Sequence, residues 1–388
     1  MSRIAIFDYR VTGSNPIGSC HLKLLRALCR EHQFTVFAVE FDNPCPDRIR
    51  WVRVPVPLRP LALLFATYHL AAPLLLAWYR LRGGQRFDAI QVVESNLSFG
   101  DIAYVHFCHR AYLRRSWRTS RPAGVRRFLR WLDHWLHMLV EPLTYRRVRR
   151  IVVPSPGLAH ELAAFYPPTG TKTDVIPNPI DVDVLRRPPD FDPEPLRRAM
   201  GIAAGETLLL FSALGQFERK GLPLVLDALR QLGDPALKLV VVGGESDLVA
   251  GYRDRARRAG LGQQVTFVGY QRDVKPYLWS ADAFIFPSAY EAFSLVAFEA
   301  AAAGLLLIAT PVNGVGEFLR DCENGIQVER SAAGVTNGIT RFLRLPAADR
   351  QRMVSTAQTE VQAFGPARFT DGWRHVYRDL PGTPRRAT

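Results

Sequence analysis

Between Ala283 and Gly304 the chain passes without a break from an apolar strand through a short loop into an alanine-rich helix. Ala283-Phe284-Ile285-Phe286 shows no polar alternation, so it reads as a parallel strand covered on both faces, which commits this part of the chain to an α/β sheet. Pro287 to Ser294 forms the loop, and the residues after it are good helix formers. Ser294, or a residue just before it, would cap the helix and leave the amides of Leu295, Val296 and Ala297 open at the sheet's carboxyl edge. A diphosphate suits such a place. Glu291 precedes the helix and Glu299 lies about two turns inside it. Carboxylates only accept hydrogen bonds, so sugar hydroxyls are their natural partners. Two glutamates at this spacing are also common on solvated helix faces, and the surrounding motifs must decide between the two readings.

Those motifs are Gly215 with Lys220-Gly221, Val240-Val241-Val242-Gly243-Gly244, Val265-Thr266-Phe267-Val268-Gly269, Ser280-Ala281-Asp282-Ala283, Pro287-Ser288, the Glu291 to Glu299 pair, and Gly325. In this order, from Leu208 to Val328, they resemble the carboxyl-terminal half of glycosyltransferase family 4. The resemblance implies a GT-B architecture of two Rossmann-like α/β domains facing across a cleft, and retaining transfer from a UDP- or GDP-linked sugar with no metal or other cofactor. It makes Lys220, Glu291 and His106 the catalytic residues. It gives donor contacts to Gly18, Gly215, Arg219, Lys220, Gly243, Gly244, Tyr270, Glu291, Ala292, Phe293, Ser294, Leu295, Val296 and Glu299. Lys220 would neutralise the diphosphate, Glu291 would hold the donor sugar and Glu299 the ribose. The family's phosphate-binding arginine position holds Gln216 here, with Arg219 close by.

A chain of 388 residues accommodates two such domains. We expect them at 1–172 and 173–365, with 366–388 forming a helix that crosses back to the first and a disordered tail from Pro381. In the first domain, Ile4 to Tyr9 and Phe34 to Phe41 are strands, with a helix from about Ser19 to Arg30 between them. The Gly13 to Gly18 loop before that helix is either a donor contact through Gly18 or a plain turn. The strand Ile102 to Val105 ends in His106 and His109. The resemblance places His106 near the transferred sugar, whereas His109 reads as locally satisfied. Their spacing suits a metal, but the sequence supplies no third or fourth ligand, so no metal site is expected. Asp181-Val182-Asp183 spells the cation-binding D-x-D of another transferase class and is read as a surface turn.

Net charge is +14, and much of it is local. Twelve arginines fall between Arg110 and Arg150 against only Asp133 and Glu141, interleaved with Trp117, Trp131 and Trp135. Such a stretch suits an anionic membrane surface, a solvated face or nucleic acid; a membrane partner is expected and a nucleic acid is not. Leu61 to Tyr79 is almost continuously apolar. Strands before and after it belong to one sheet, which argues against a span and leaves shallow insertion or burial. Five cysteines without metal spacing, and no leader before the first strand, lead us to expect free thiols in a cytoplasmic, peripheral membrane protein. The expected acceptor is a lipid-linked saccharide or a lipid, in cell-surface polysaccharide or glycolipid synthesis. The alternatives are a soluble acceptor, or a catalytically silent membrane scaffold, toward which only Gln216 leans.

Overall fold

The computed structural model describes residues 1–84, 86–122 and 124–379. The expected tail from Pro381 lies outside them. The chain forms two compact units, one of Met1–Trp117, Ala123–Pro179 and the chain from Pro366 on, the other of Arg118–Pro122 and Ile180–Gly365.

The first unit is built on β1 (Arg3–Phe7), β3 (Gln33–Ala38), β5 (Ile49–Arg53), β6 (Ala89–Val93), β7 (Ile102–Tyr104), β8 (Arg150–Val153) and β9 (Thr173–Val175). They form one parallel sheet in the order β5-β3-β1-β6-β7-β8-β9. Two short strands, β2 (Arg10–Val11) and β4 (Glu40–Phe41), pair beside it. The strand order reverses at β1 and β6, so the chain leaving each of them borders a crevice at the carboxyl edge. Because β9 pairs with β8, the domain boundary expected at 172/173 moves to Pro179/Ile180.

Helix α1 (Pro16–Leu28) begins earlier than expected because Asn15 caps it, its side chain accepting from the Gly18 amide at 3.0 Å. Helix α2 (Leu61–Leu81) covers the apolar run. One face, with Leu64, Phe65, Tyr68, Ala72 and Leu76, is buried, while Leu70 and Leu74 are 71% and 70% exposed. It is long and apolar enough to cross a membrane, and only 28% of the residues in its most apolar stretch are buried. After α3 (His109–Arg115) and α4 (Trp117–Ser120), the arginine-rich stretch becomes α5 (Val125–Arg147). That helix is turned opposite to the usual rule. Its buried residues are Asp133, His134, His137, Glu141, Thr144 and Tyr145, whereas Val125, Phe128, Leu129, Trp131, Leu139 and Leu143 are exposed.

The second unit carries β10 (Thr207–Ser212), β11 (Leu237–Val242), β12 (Val265–Gly269), β13 (Ala283–Phe286), β14 (Leu306–Ala309) and β15 (Ile326–Gln327). They too are parallel, in the order β12-β11-β10-β13-β14-β15. The central strands are buried on both faces, which is why they read as continuous apolar runs. Here the order reverses between β10 and β13. The loops Gly215–Gly221 and Pro287–Ser294 therefore leave the sheet on either side of one crevice. The last helix, Pro366–Arg378, belongs to the first unit.

Candidate active site

The two loops at the β10/β13 crevice meet through their charges. Lys220 Nζ donates to Glu291 Oε1 at 2.6 Å, and the Ser288 hydroxyl donates to the same oxygen at 2.7 Å. Lys220 also lies 5.1 Å from the centre of the Phe286 ring. Burial lowers the Lys220 ammonium to about 8, Glu291 partly opposing the fall and Arg219 adding to it. Burial alone would raise Glu291, but Lys220 and then Arg219 more than offset it and hold the carboxyl below its usual range. Below pH 8 the pair is ionised.

Arg219 reaches the loop's backbone, donating to the Tyr290 carbonyl at 3.0 Å, while the Ala289 amide donates back to the Arg219 carbonyl at 2.8 Å. It acts as a clasp between the two loops. Two glycines make the approach possible. At Gly221 (φ +87°) a side chain would strike the Pro287 carbonyl, and at Gly314 (φ +83°) it would strike the Phe293 backbone. Ser288 is fixed in turn by Thr310, whose hydroxyl donates to its carbonyl at 2.7 Å. Thr310, a lone hydroxyl beside a strand, carries no spacing signal in the sequence, and Ser288 shows there only as part of the Pro287-Ser288 motif.

The helix after the loop spans Leu295–Ala302. Leu295 and Val296 occupy its first two positions, whose amides have no intrahelical acceptor. Two details correct the expectation. The Ala297 amide donates to the Ser294 carbonyl at 3.0 Å, and Ser294 is left-handed (φ +69°) with its buried hydroxyl making no cap. Gln216, in the other loop, is also left-handed (φ +55°). Non-glycine residues in this region are strained, and here one stands in each loop bordering the crevice. Phe293 stacks on Phe298 with centroids 4.2 Å apart and fixes the loop over the helix. Glu299 is half-buried on that helix, Ala292 half-buried in the loop, and Tyr270 exposed beyond β12. Gly215 lies in the Lys220 loop. Gly243 and Gly244 close β11 at positive φ, the Gly243 amide donating to the Gly269 carbonyl at 2.7 Å. A cleft of about 450 Å³ lies over the ends of β13, β14 and β15, lined by Ser288, Ala289, Thr310, Val328 and Arg330 among others.

In the first unit, His106 follows β7. Its Nε2 lies 3.1 Å from Asn178 Oδ1, which also accepts from the Tyr104 hydroxyl at 2.8 Å. The amide oxygen makes Nε2 the protonated nitrogen and leaves Nδ1, which has no protein partner, as an acceptor. Burial lowers this imidazole to about 3, although Asn178 opposes the fall. It is neutral at physiological pH. Asn178 lies 72 residues from His106 in the chain, so nothing in the sequence ties the two together. Gly18 offers less than expected, since its amide is taken by Asn15 and a side chain there would strike the Arg10 and Thr12 backbone. His109 is satisfied by its packing, through side chains distant in the chain rather than local backbone. It joins a buried group with Glu94, His134 and Glu141. Asp181 and Asp183 of the D-x-D stand at the start of a short helix, Val182–Leu185, rather than in a turn.

Solved structures share this architecture along nearly the whole chain. WaaG, a glycosyltransferase involved in lipopolysaccharide biosynthesis, superposes with a TM-score of 0.78 at 17% identity, over 98% of this chain and 100% of its own. Anabaena HepE, solved with UDP-glucose, superposes with a TM-score of 0.70 at 18% identity, over 98% and 100%. The two parallel-sheet units and these neighbours define the GT-B fold. Sequence relatives agree. An uncharacterized glycosyltransferase of Methanocaldococcus jannaschii is 25% identical over 80% of both chains. The D-inositol 3-phosphate glycosyltransferase of Mycobacterium bovis is 29% identical over 61% of this chain, and that match spans only 48% of the mycobacterial protein. The family pattern described as "Glycosyl transferases group 1" matches residues 193–360, and that described as "Glycosyltransferase Family 4" matches residues 20–184. The chain belongs to glycosyltransferase family 4.

Proposed function

We propose that the protein transfers a sugar, with retention of anomeric configuration, from a nucleoside diphosphate donor to a lipid-linked saccharide or lipid at the cytoplasmic face of a membrane, in cell-surface polysaccharide or glycolipid synthesis. The observation that carries the donor half is the Lys220–Glu291 pair, set beside the first turn of the helix Leu295–Ala302. UDP is the first nucleotide to test, because HepE was solved with UDP-glucose. On this reading the Lys220 ammonium and the amides of Leu295 and Val296 stabilise the leaving diphosphate. Glu291 accepts hydrogen bonds from the sugar and Glu299 from the ribose. The bond from the anomeric carbon to the diphosphate oxygen breaks, the bond to the acceptor oxygen forms, and the acceptor's proton passes to the departing phosphate. No protein nucleophile or metal enters these steps. His106, neutral with a free acceptor nitrogen, orients a hydroxyl of the transferred sugar.

The acceptor half rests on α5. An outward face of Phe128, Leu129, Trp131, Leu139 and Leu143, bordered by arginines, matches the apolar and anionic layers of a bilayer. The apolar outer face of α2 adds to it. A soluble acceptor is the second reading, favoured by the relative named for inositol 3-phosphate.

The deciding experiment is a thermal-shift screen with UDP, GDP, ADP and their sugars, repeated with Glu299→Ala. Stabilisation by one nucleotide, weakened about ten-fold or more in affinity by the substitution, supports the donor site. Absence of any shift would sink it.

A further inference from the structure

On its buried face α5 brings His137 toward the switch point of the first sheet, where Glu94 directly follows β6 and α3 begins with His109. One ligand-capable atom from each of Glu94, His109 and His137 lies within 4.8 Å of the other two. We propose that these three side chains form a binding site for a divalent transition-metal ion of the zinc class, which ties β6, α3 and α5 together.

The donor set is chemically apt, since two imidazoles and a carboxylate suit zinc better than calcium or magnesium. Its spacing is apt too. Tetrahedral coordination with bonds of about 2.1 Å separates ligand atoms by roughly 3.4 Å, and His109 Nε2 already stands 3.5 Å from Glu94 Oε2. The nitrogens not needed for the ion are held from behind, as metal-binding imidazoles usually are. His109 Nδ1 lies 3.0 Å from His134 Nδ1, and His137 Nδ1 lies 2.9 Å from the Ser95 hydroxyl. The two rings stack with centroids 4.2 Å apart, so convergence on one ion asks them to turn about Cβ–Cγ, a broad torsion.

Two further observations point to a small ligand here. The Tyr9 hydroxyl, in the field of Asp133 and Glu94, is buried with no protein partner, and so is His69 Nε2. Orphaned buried polar atoms are the ordinary mark of a water or an ion. Glu94, Asp133 and Glu141 also concentrate carboxylate charge around these imidazoles, which a divalent cation would offset. Glu94 and His137 are separated from His109 by fifteen and twenty-eight residues, which is why no ligand spacing appears in the sequence.

The test uses the full chain, stripped with chelator and then dialysed against zinc or cobalt(II) salts. The expected result is one equivalent of zinc retained through gel filtration, a visible ligand-field band with cobalt, and a melting temperature raised by several degrees. All three should be lost in His137→Ala and in the near-isosteric Glu94→Gln, and kept in His160→Ala, at an exposed histidine elsewhere. Circular dichroism of the stripped variants separates lost binding from lost folding, and Glu94→Gln serves if His137→Ala does not fold. Failure of the native chain to retain zinc, or equal retention by Glu94→Gln, would overturn the proposal.

Discussion

Burial draws Lys220 down to about 8, so the ammonium that would meet a diphosphate is half lost only one pH unit above neutrality. The sign follows directly: below pH 8 the free protein carries the charge, and above it the binding of an anion must also supply a proton. UDP affinity, measured by calorimetry from pH 7 to 9.5 where the nucleotide's own phosphates are ionised, should be flat to about pH 8. It should then fall toward ten-fold per pH unit. Lys220→Arg, weaker at pH 7 because the fork differs in shape, should show no such fall. A native profile level to pH 9.5 would remove Lys220 from the phosphate site. Asn178 belongs to the same scale. Asn178→Ala releases both His106 and Tyr104, so kcat should drop about ten-fold or more and stability by about 1–3 kcal/mol, with UDP affinity unchanged. Loss of UDP affinity with kcat intact would contradict a positioning role.

Helix α5 shows how one element can obey helical periodicity while inverting its usual meaning. Its buried positions recur at helical spacing, but beside Tyr145 they are Asp133, His134, His137, Glu141 and Thr144. Six large apolar residues stand exposed on the other side, with Val125 78% and Phe128 60% exposed. Such a face costs solubility unless something apolar covers it. Replacing Phe128, Trp131 and Leu139 together by glutamate should cut co-sedimentation with anionic vesicles ten-fold or more and leave the melting temperature nearly unchanged. Unaltered sedimentation would refute membrane docking through α5. In sequence this stretch shows basic and aromatic residues interleaved, yet periodicity alone does not say which face turns inward.

At the scale of the molecule, the chain leaves the first unit at Pro179 and returns at Pro366 to finish it. Trp373 and Tyr377, near the end of the described chain, are fully buried in that unit. The Tyr377 hydroxyl donates to Gln91 at 2.6 Å, Gln91 meets His21 at 2.9 Å, and His21 meets Asp8 at 3.0 Å. Trp373→Ala should therefore cost about 3–5 kcal/mol. In urea it should lower the midpoint of the first unit and leave that of the second in place, which two-phase unfolding read by hydrogen exchange would show. A uniform shift of both would mean that the units do not unfold separately.

The sequence by itself determined the two parallel sheets, because strands buried on both faces must be continuous apolar runs. It also determined the Lys220 loop and the Glu291 to Glu299 segment, because a strand, loop and helix in immediate succession bring them to one sheet edge. Only the tertiary structure decided that Thr173–Val175 joins the first sheet, that α5 turns its polar side inward, that Asn178 holds His106, and that Glu94, His109 and His137 converge. Each of these depends on partners distant in the chain. Contacts of that kind leave no periodic trace, since they are set by how neighbouring elements pack and not by the local preferences of the residues that make them.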